Sequence, residues 1–347
     1  MKTIKKLALK MDDFGTDYGL VFDRASILET CQKLSGDLSG YRVHFSVKSF
    51  PESEFLKIIA HFVHGWDLSS ARELDLVLPL LLPTHSLWLT NSDAELLECC
   101  AATRAPLFFT LDHTSSLSLI YPESVSLGVR LDPLSLLGRG HSRYGFTLNQ
   151  LGAISDELKR RIKFLHCHCP GIISAAELSG IRSAIEHILP QFPNVSLVNL
   201  GGGLTPGNFD AYEMLPQIYT KPNLAIEPGR WFSESAGSAF CRIQTIFEKN
   251  GDLYLVGDLS PQAHMKWARE MKFTFVGLGQ LKKYHCKRLI YSSSNALESD
   301  QLILSSSDTV ISLAEGGWLV FDKIPGYSVA WNHEFNGIPK APVFFID

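Results

Sequence analysis

From about residue 41 to residue 230 the chain alternates between two hydrophobic periods. Short apolar, β-branched or aromatic runs are separated by longer segments whose apolar positions recur at helical spacing. The runs predict eight strands: Arg42–Val47, Gly65–Leu68, Ser86–Thr90, Leu107–Leu111, Val125–Leu131, Phe164–Cys167, Val195–Leu200 and Leu224–Ile226. Helices fit between most of them. Ser92 followed by Glu95 is a capping-box start, with Leu96, Leu97, Cys100 and Ala101 continuing on one face. Ser174 opens another helix, with Leu178, Ile181, Ile185 and Ile188 along one stripe. Eight strands with intervening helices predict an α/β fold, a (β/α)8 TIM-type barrel, with a doubly wound sheet as the rival.

After about residue 236 the texture changes. Alternating runs follow closely: Arg242–Phe247, Leu253–Val256, Phe273–Val276, Arg288–Tyr291, Gln301–Leu304, Thr309–Leu313 and Gly317–Phe321. Gly, Ser, Asn and Asp separate most of them, which predicts a C-terminal β-rich domain. The N-terminal segment, with Lys5–Lys10 and Leu20–Phe22, is expected to add a strand to it. The division expected is an N-terminal segment 1–25, a barrel 26–235 and a β-rich domain 236–347.

Composition narrows the class of protein. The 347 residues are 45% hydrophobic and 20% charged, ordinary globular usage with ample material for a core. Lys plus Arg is 32 and Asp plus Glu 36, so 32 − 36 gives −4, which argues against a dedicated binder of nucleic acid or of an anionic membrane. Seven cysteines, an odd number without framework spacing, read as reduced thiols in a cytoplasmic protein. Lys2, Lys5 and Lys6 precede an apolar stretch that soon runs into Asp12-Asp13, unlike a signal peptide. The run Leu76–Leu82 contains Pro79 and is too short to span a bilayer.

A β/α barrel keeps its chemistry at the C-terminal ends of its strands. Those ends read Lys48, Asp67, Asn91, Asp112, Arg130, His168, Gly201-Gly202-Gly203 and Glu227-Pro228-Gly229-Arg230. The loops after strands seven and eight are where such barrels commonly bind phosphate. Glycine lets backbone N–H groups approach it, and arginine adds charge. One lysine, one phosphate cradle, one carboxylate and one imidazole are the set that pyridoxal 5'-phosphate needs. Lysine forms the Schiff base, the carboxylate keeps the pyridine nitrogen protonated, and the imidazole stacks on the ring. A metal reading of His166-Cys167-His168-Cys169 is set aside, because consecutive strand residues alternate between faces and cannot close a tetrahedron. Gly277-Leu278-Gly279 reads as a hairpin feature, and Cys99-Cys100 as core.

These motifs resemble the alanine-racemase-like decarboxylases, the family of ornithine, diaminopimelate and carboxynorspermidine decarboxylases. Val43-His44-Phe45-Ser46-Val47-Lys48-Ser49 resembles its Schiff-base lysine strand, and Asp67–Leu74 the next segment. Ser142-Arg143-Tyr144-Gly145 is similar to a motif after its fifth strand. His166-Cys167-His168 matches the strand with the ring-stacking histidine, His168 by position. Asn199-Leu200-Gly201-Gly202-Gly203 matches the phosphate loop, and Glu227-Pro228-Gly229-Arg230 the segment whose glutamate contacts the pyridine nitrogen. Pro325-Gly326-Tyr327-Ser328 resembles the segment of a tyrosine that helps hold phosphate, and Phe335-Asn336-Gly337 the stretch after it.

The resemblance runs from about residue 15 to 340 in family order and implies a homodimer with shared active sites. It also implies α-decarboxylation of an amino acid that displaces Lys48 from the cofactor. Lys48 and His168 are the catalytic candidates. Gly201, Gly202, Gly203, Gly229, Arg230 and Tyr327 hold phosphate, and Glu227 meets the ring nitrogen. Asp67, Glu73 and Arg130 support them, and Glu298 and Asp300 read the substrate's distal group.

Two departures qualify this. The family's catalytic cysteine falls at Ala296 in Ser293–Asp300, and alanine carries no proton to give. After His168, Cys169-Pro170-Gly171-Ile172 lacks the hydroxyl usual there, so backbone contacts are expected instead. The leading expectation is a decarboxylase of a basic or diamino acid in a specialised biosynthetic pathway. A racemase, a decarboxylative transaminase and a non-catalytic relative are the alternatives. No metal is expected, and no Gly-x-Gly-x-x-Gly follows the first strand to support a nicotinamide enzyme.

Overall fold

The computed structural model describes residues 6–7, 10–90, 93–118, 121–168, 174–205, 208–218, 223–277 and 280–347. Asn91, Ser92, Cys169–Ile172 and the Leu278-Gly279 pair lie outside them. The chain divides into two compact units, one of Met1–Leu28 with Phe232–Asp347, the other of Glu29–Trp231. Strand β1, Tyr18–Asp23, belongs to the former.

The Glu29–Trp231 unit is a closed parallel barrel of eight strands. They are β2 Tyr41–Ser46, β3 Gly65–Leu68, β4 Ser86–Leu89, β5 Leu107–Leu111, β6 Val125–Arg130, β7 Ile162–His166, β8 Leu197–Asn199 and β9 Asn223–Ile226. Each overlaps one of the eight sequence runs. Parallel strands covered on both faces read as continuous apolar segments, and β3 and β4 are buried at every position. The helix Ala175–Ile188 opens with a reciprocal Ser174–Glu177 capping box and buries Leu178, Ile181, Ile185 and Ile188, as its spacing predicts. The helix Ala94–Ala102 starts differently from expectation. Asp93 is its N-cap, accepting from the N–H groups of Glu95 and Leu96, and Cys99 points outward while Cys100 is buried.

Aromatic rings fill the barrel interior. Trp88 stacks on Phe108 at 4.8 Å and meets Phe164 edge-on at 4.4 Å. A Cβ on Gly128 would lie 2.1 Å from the Phe164 ring, so glycine in β6 makes room for that aromatic layer.

The other unit is β-rich. Its remaining strands are β10 Gly237–Arg242, β11 Thr245–Lys249, β12 Asp252–Gly257, β13 Phe273–Val276, β14 Lys282–Cys286, β15 Arg288–Ser293, β16 Gln301–Ser305, β17 Thr309–Leu313, β18 Trp318–Asp322 and β19 Val343–Ile346. They form a five-stranded sheet, β13-β18-β10-β1-β19, a four-stranded sheet, β11-β12-β15-β16, and the pair β14-β17. The expected N-terminal strand is β1, paired with β10 and β19, whereas Lys6 and Leu7 are helical. The run Arg242–Phe247 proves to be the end of one strand and the start of another. Among the described residues no helix is long and apolar enough to cross a membrane.

Candidate active site

Lys48 lies in a 3-10 turn, Val47–Ser49, directly after β2. The Ser49 hydroxyl donates to the Ser46 carbonyl at 2.7 Å, so the turn leaves the strand tightly and releases the lysine side chain. That side chain is 48% exposed, and its Nζ lies 3.8 Å from Asp67 Oδ2. Asp67, next to the end of β3, has no exposed surface. It accepts from the Ser46 hydroxyl at 2.8 Å and the Thr90 hydroxyl at 3.1 Å. Burial and the nearby Glu227 push its carboxyl pKa up, and Lys48 opposes them. Glu73 sits one turn into the next helix and accepts from the Ser69 N–H at 2.8 Å, and burial raises its pKa too.

Glu227 follows β9 and is buried. Its Oε1 accepts from Asn199 Nδ2 at 2.6 Å, while Asn199 Oδ1 accepts from the Gly201 N–H at 2.8 Å. One asparagine at the end of β8 therefore fixes both the carboxylate and the start of the glycine turn. Gly201 has φ of +68°, and a Cβ there would lie 2.7 Å from His168 Nδ1. The Gly202 N–H donates to His168 Nδ1 at 3.0 Å. The glycines thus press against the imidazole, and Asn208 Nδ2 holds the turn by donating to the Gly203 carbonyl at 2.9 Å. Burial drives the pKa of His168 down to about 4, with Glu227 opposing. Gly229 is buried and Arg230 half-buried at the start of a short helix.

Arg130 ends β6, and its guanidinium lies 4.7 Å from the Tyr144 ring centroid. The Ser142–Gly145 segment is held beside it. Asp132 accepts from the Ser142 N–H, and the Gly145 N–H donates to the Asp112 carbonyl at 3.0 Å. His166 ends β7, fully buried, with Nε2 3.5 Å from Glu227 Oε1. Burial and the Arg130 guanidinium push its pKa down to about 3.

A cleft of about 420 Å³ gathers Lys48, Asp112, Arg130, Tyr144, His166, His168 and Glu227, with Ser69, Thr90 and Ser142 on its wall. Of the barrel residues singled out from sequence, Lys48, Asp112, Arg130, His168 and Glu227 line it directly, whereas Asp67, Glu73, Gly201–Gly203, Gly229 and Arg230 do not. His166 is the residue that sequence reasoning passed over. Its signal was the two-residue spacing to His168, which puts both rings on one strand face. Ring nitrogens of these two histidines and a carboxylate oxygen of Glu227 lie within 4.8 Å of one another. Reading only the four neighbours His166–Cys169 for a metal set could not reveal that grouping, because Glu227 arrives from another strand.

The β-rich unit carries the other nominated residues. Tyr327 is half-buried in the helix Gly326–Trp331. Glu298 and Ala296 are exposed in the turn after β15. Asp300 corrects the expectation that it reads substrate. It has no exposed surface, and its carboxylate accepts from the Ser260 hydroxyl at 2.7 Å, the Gln262 N–H at 2.9 Å and the Asn295 amide. Its oxygens are taken up by bracing the loop.

The cleft fits pyridoxal phosphate on its own evidence. It offers a lysine at its rim, a buried carboxylate, and an imidazole backed by a glycine turn whose Gly201 has no room for a side chain. At its floor His166 and Arg130 keep buried polar atoms without hydrogen-bond partners among the described residues. Comparison with known proteins agrees. The chain is 22% identical to the ornithine decarboxylase of Schizosaccharomyces pombe, over 100% of this chain and 87% of that one. The lysine/ornithine decarboxylase of Vibrio vulnificus, solved with cadaverine, superposes with a TM-score of 0.80 at 18% identity, covering 99% and 98% of the two chains. The arginine decarboxylase of Paramecium bursaria Chlorella virus does so with 0.79 at 14% identity, covering 100% of both. The family profile described as "Pyridoxal-dependent decarboxylase, pyridoxal binding domain" matches residues 24–234. That is more than half of the 347 residues: the chain belongs to the pyridoxal-dependent decarboxylases, and pyridoxal phosphate is its cofactor.

Proposed function

We propose that this protein decarboxylates a basic or diamino acid at its α carbon, the amino acid being free or attached to a larger molecule. The observation that carries this is the meeting in one cleft of Lys48, Glu227 and His168, the last backed by the glycine turn. When bound, the cofactor supplies an electron sink for the pair left by departing carbon dioxide.

The chain's own residues have distinct tasks in this reading. Lys48 would hold the cofactor, and its amine, on a half-exposed side chain beside Asp67, would carry protons. Asp67 holds that amine by charge, and Glu73 braces the helix start behind it. Glu227 takes the ring nitrogen, with Asn199 fixing its Oε1. His168 would back the ring, held from behind by Gly202. Gly201, Gly202, Gly203, Gly229 and Arg230 take the phosphate. Resemblance alone assigns Tyr327 to the phosphate and Glu298 to the substrate's distal amine. Ala296 has no proton to give, so the proton returning to the α carbon comes from Lys48 Nζ or from water.

The same reading carries a homodimer acting in a specialised biosynthetic pathway of a reducing, cytoplasmic compartment, the dimer being checked by light scattering. The reaction is tested with the cofactor-loaded protein in deuterium oxide, offered ornithine, lysine or arginine. Carbon dioxide release with one deuterium on the product's α carbon supports the proposal. Deuterium at the α carbon without carbon dioxide replaces it with racemisation. Carbon dioxide with the cofactor stranded as its amine replaces it with decarboxylative transamination.

A further inference from the structure

Three buried polar atoms at the floor of the cleft lack hydrogen-bond partners among the described residues: Arg130 Nε and both ring nitrogens of His166. Their neighbours are served. Asn199 donates to Glu227, Gly202 donates to His168, and Ser46 and Thr90 donate to Asp67. A buried donor or acceptor left unmet costs about 1–3 kcal/mol, so three in one place call for a common explanation.

Strand pairing supplies the first part. Arg130 and His166 are Cα partners at the ends of β6 and β7, which sets their side chains next to each other over the cleft. Chemistry supplies the second. The charged and titratable groups facing His166 are Arg130, Asp67, Lys48, Asp112, Glu227 and His168. Burial and the cations among them keep its imidazole neutral near pH 7. A neutral imidazole has one N–H and one lone pair. Nε2 faces the Glu227 carboxylate at 3.5 Å, which can only accept, so the proton belongs on Nε2. Nδ1 is then an acceptor, and Arg130 Nε–H beside it is a donor. One arrangement serves all three orphaned atoms.

We propose that Arg130 Nε–H donates to His166 Nδ1, and His166 Nε2–H donates to Glu227 Oε1, as a relay that tightens when the cofactor is seated. His166 is thereby a positioning residue. With Asn199 it pins Oε1 of Glu227 and turns Oε2 towards the cofactor's ring nitrogen. The inference rests on the reading of Glu227 as that nitrogen's partner.

The first test is nitrogen-15 histidine NMR of the cofactor-loaded protein, with His166 assigned by comparison with His166→Gln. The expected result is a neutral ring with protonated Nε2 and bare Nδ1, a preference that Arg130→Met weakens. A proton on Nδ1, or an imidazolium at pH 7, overturns the relay whatever Glu227 does. The second test is the pH dependence of the bound cofactor's visible absorption, with its dissociation constant. His166→Phe is expected to displace the absorption profile and weaken cofactor binding about tenfold, the low end for a hydrogen bond to a charged group. His166→Gln, which keeps a donor, restores part of both. Wild-type absorption in His166→Phe overturns the relay if Glu227→Gln moves the profile. If Glu227→Gln leaves it unmoved as well, the reading of Glu227 fails instead. Should His166→Phe not fold, the wild-type NMR result decides alone.

Discussion

Histidines at opposite ends of the barrel strands are set apart by their hydrogen bonds. At the N-terminal ends His85 is saturated. Its Nδ1 accepts from Trp66 Nε1 and the Leu82 N–H, each at 3.2 Å, and its Nε2 donates to the Ala60 carbonyl at 2.9 Å. His64 Nδ1 accepts from the Val43 N–H at 3.1 Å, and His44 Nε2 meets the Ser86 hydroxyl at 2.8 Å. Among the described residues, His44 Nδ1 is the buried ring nitrogen there without a hydrogen-bond partner. At the C-terminal ends His166 has no hydrogen-bond partner on either nitrogen among the described residues, and Arg130 beside it adds another unmet atom. Burial is similar, since His44 is 0%, His85 1% and His166 1% exposed. Unspent hydrogen-bonding capacity therefore marks the site where burial cannot: one group is a finished part of the scaffold, the other awaits a ligand.

The widest gap between the two ends is expected from Lys48→Met. It should abolish covalent attachment of the cofactor and lower turnover by about a thousandfold or more, well within what loss of a group acting in proton transfer and covalent chemistry removes. Thermal unfolding of the cofactor-free protein should barely move, because the side chain is half exposed. Borohydride trapping followed by peptide mapping checks the attachment. A trapped cofactor on another lysine would transfer the site away from this cleft.

Acid should affect both ends together and so erase the contrast. His44 and His166 are held neutral in the fold, with pKa values driven below the ordinary imidazole value, His166 to about 3. The unfolded chain takes up these protons below about pH 6.5, and the folded chain does not. Stability from this source is complete above that pH and is lost as pH falls towards the folded values. The slope is about 1.4 kcal/mol per pH unit for each fully buried ring. Asp67 and Glu73, whose pKa values are raised, act in the opposite sense just above their unfolded values near pH 4. Denaturant melts at pH 7, 6 and 5 measure the slope, and a flat profile would refute neutral burial at both ends.

How much of this was legible in the sequence follows from what each signal depends on. The eight barrel strands were readable because each is a continuous apolar run flanked by helical spacing. The β-rich unit was less so. β14, Lys282–Cys286, has mostly polar and exposed residues, and β19, Val343–Ile346, is too short for periodicity to separate it from a loop. That Lys48 and Glu227 would meet at one end of the barrel was readable, because both follow directly on strands. His166 was not, because its role depends on Arg130 and Glu227, brought to it by strand pairing and barrel closure. Asp300 misled because a carboxylate's burial and its donors cannot be seen in sequence.

Gly201→Ala sharpens the comparison on the ligand side. A methyl there would press within 2.7–2.8 Å of His168 atoms, at a φ of +68° that alanine rarely adopts. The turn must shift against the imidazole. Cofactor affinity should fall about 10- to 100-fold, equivalent to the roughly 1–3 kcal/mol of strain at such a position. Isothermal titration of the cofactor-free protein measures it. Unchanged affinity would show that this turn does not hold the phosphate.

Ser86→Ala is the counterpart at the finished end, and the mildest of these lesions. Ser86 is fully buried and is the hydrogen-bond partner of His44 Nε2 among the described residues, while Arg42 approaches the same hydroxyl at 3.4 Å. Removing the hydroxyl leaves both His44 nitrogens unmet and should cost about 1–2 kcal/mol of stability by denaturant melts. Cofactor affinity should stay as in the wild type, because no residue of this group lines the cleft. The two readouts must separate for the comparison to stand. If Ser86→Ala weakens cofactor binding as much as Gly201→Ala does, the barrel floor and its mouth are mechanically one site, and the hydrogen-bond inventory does not divide scaffold from machinery.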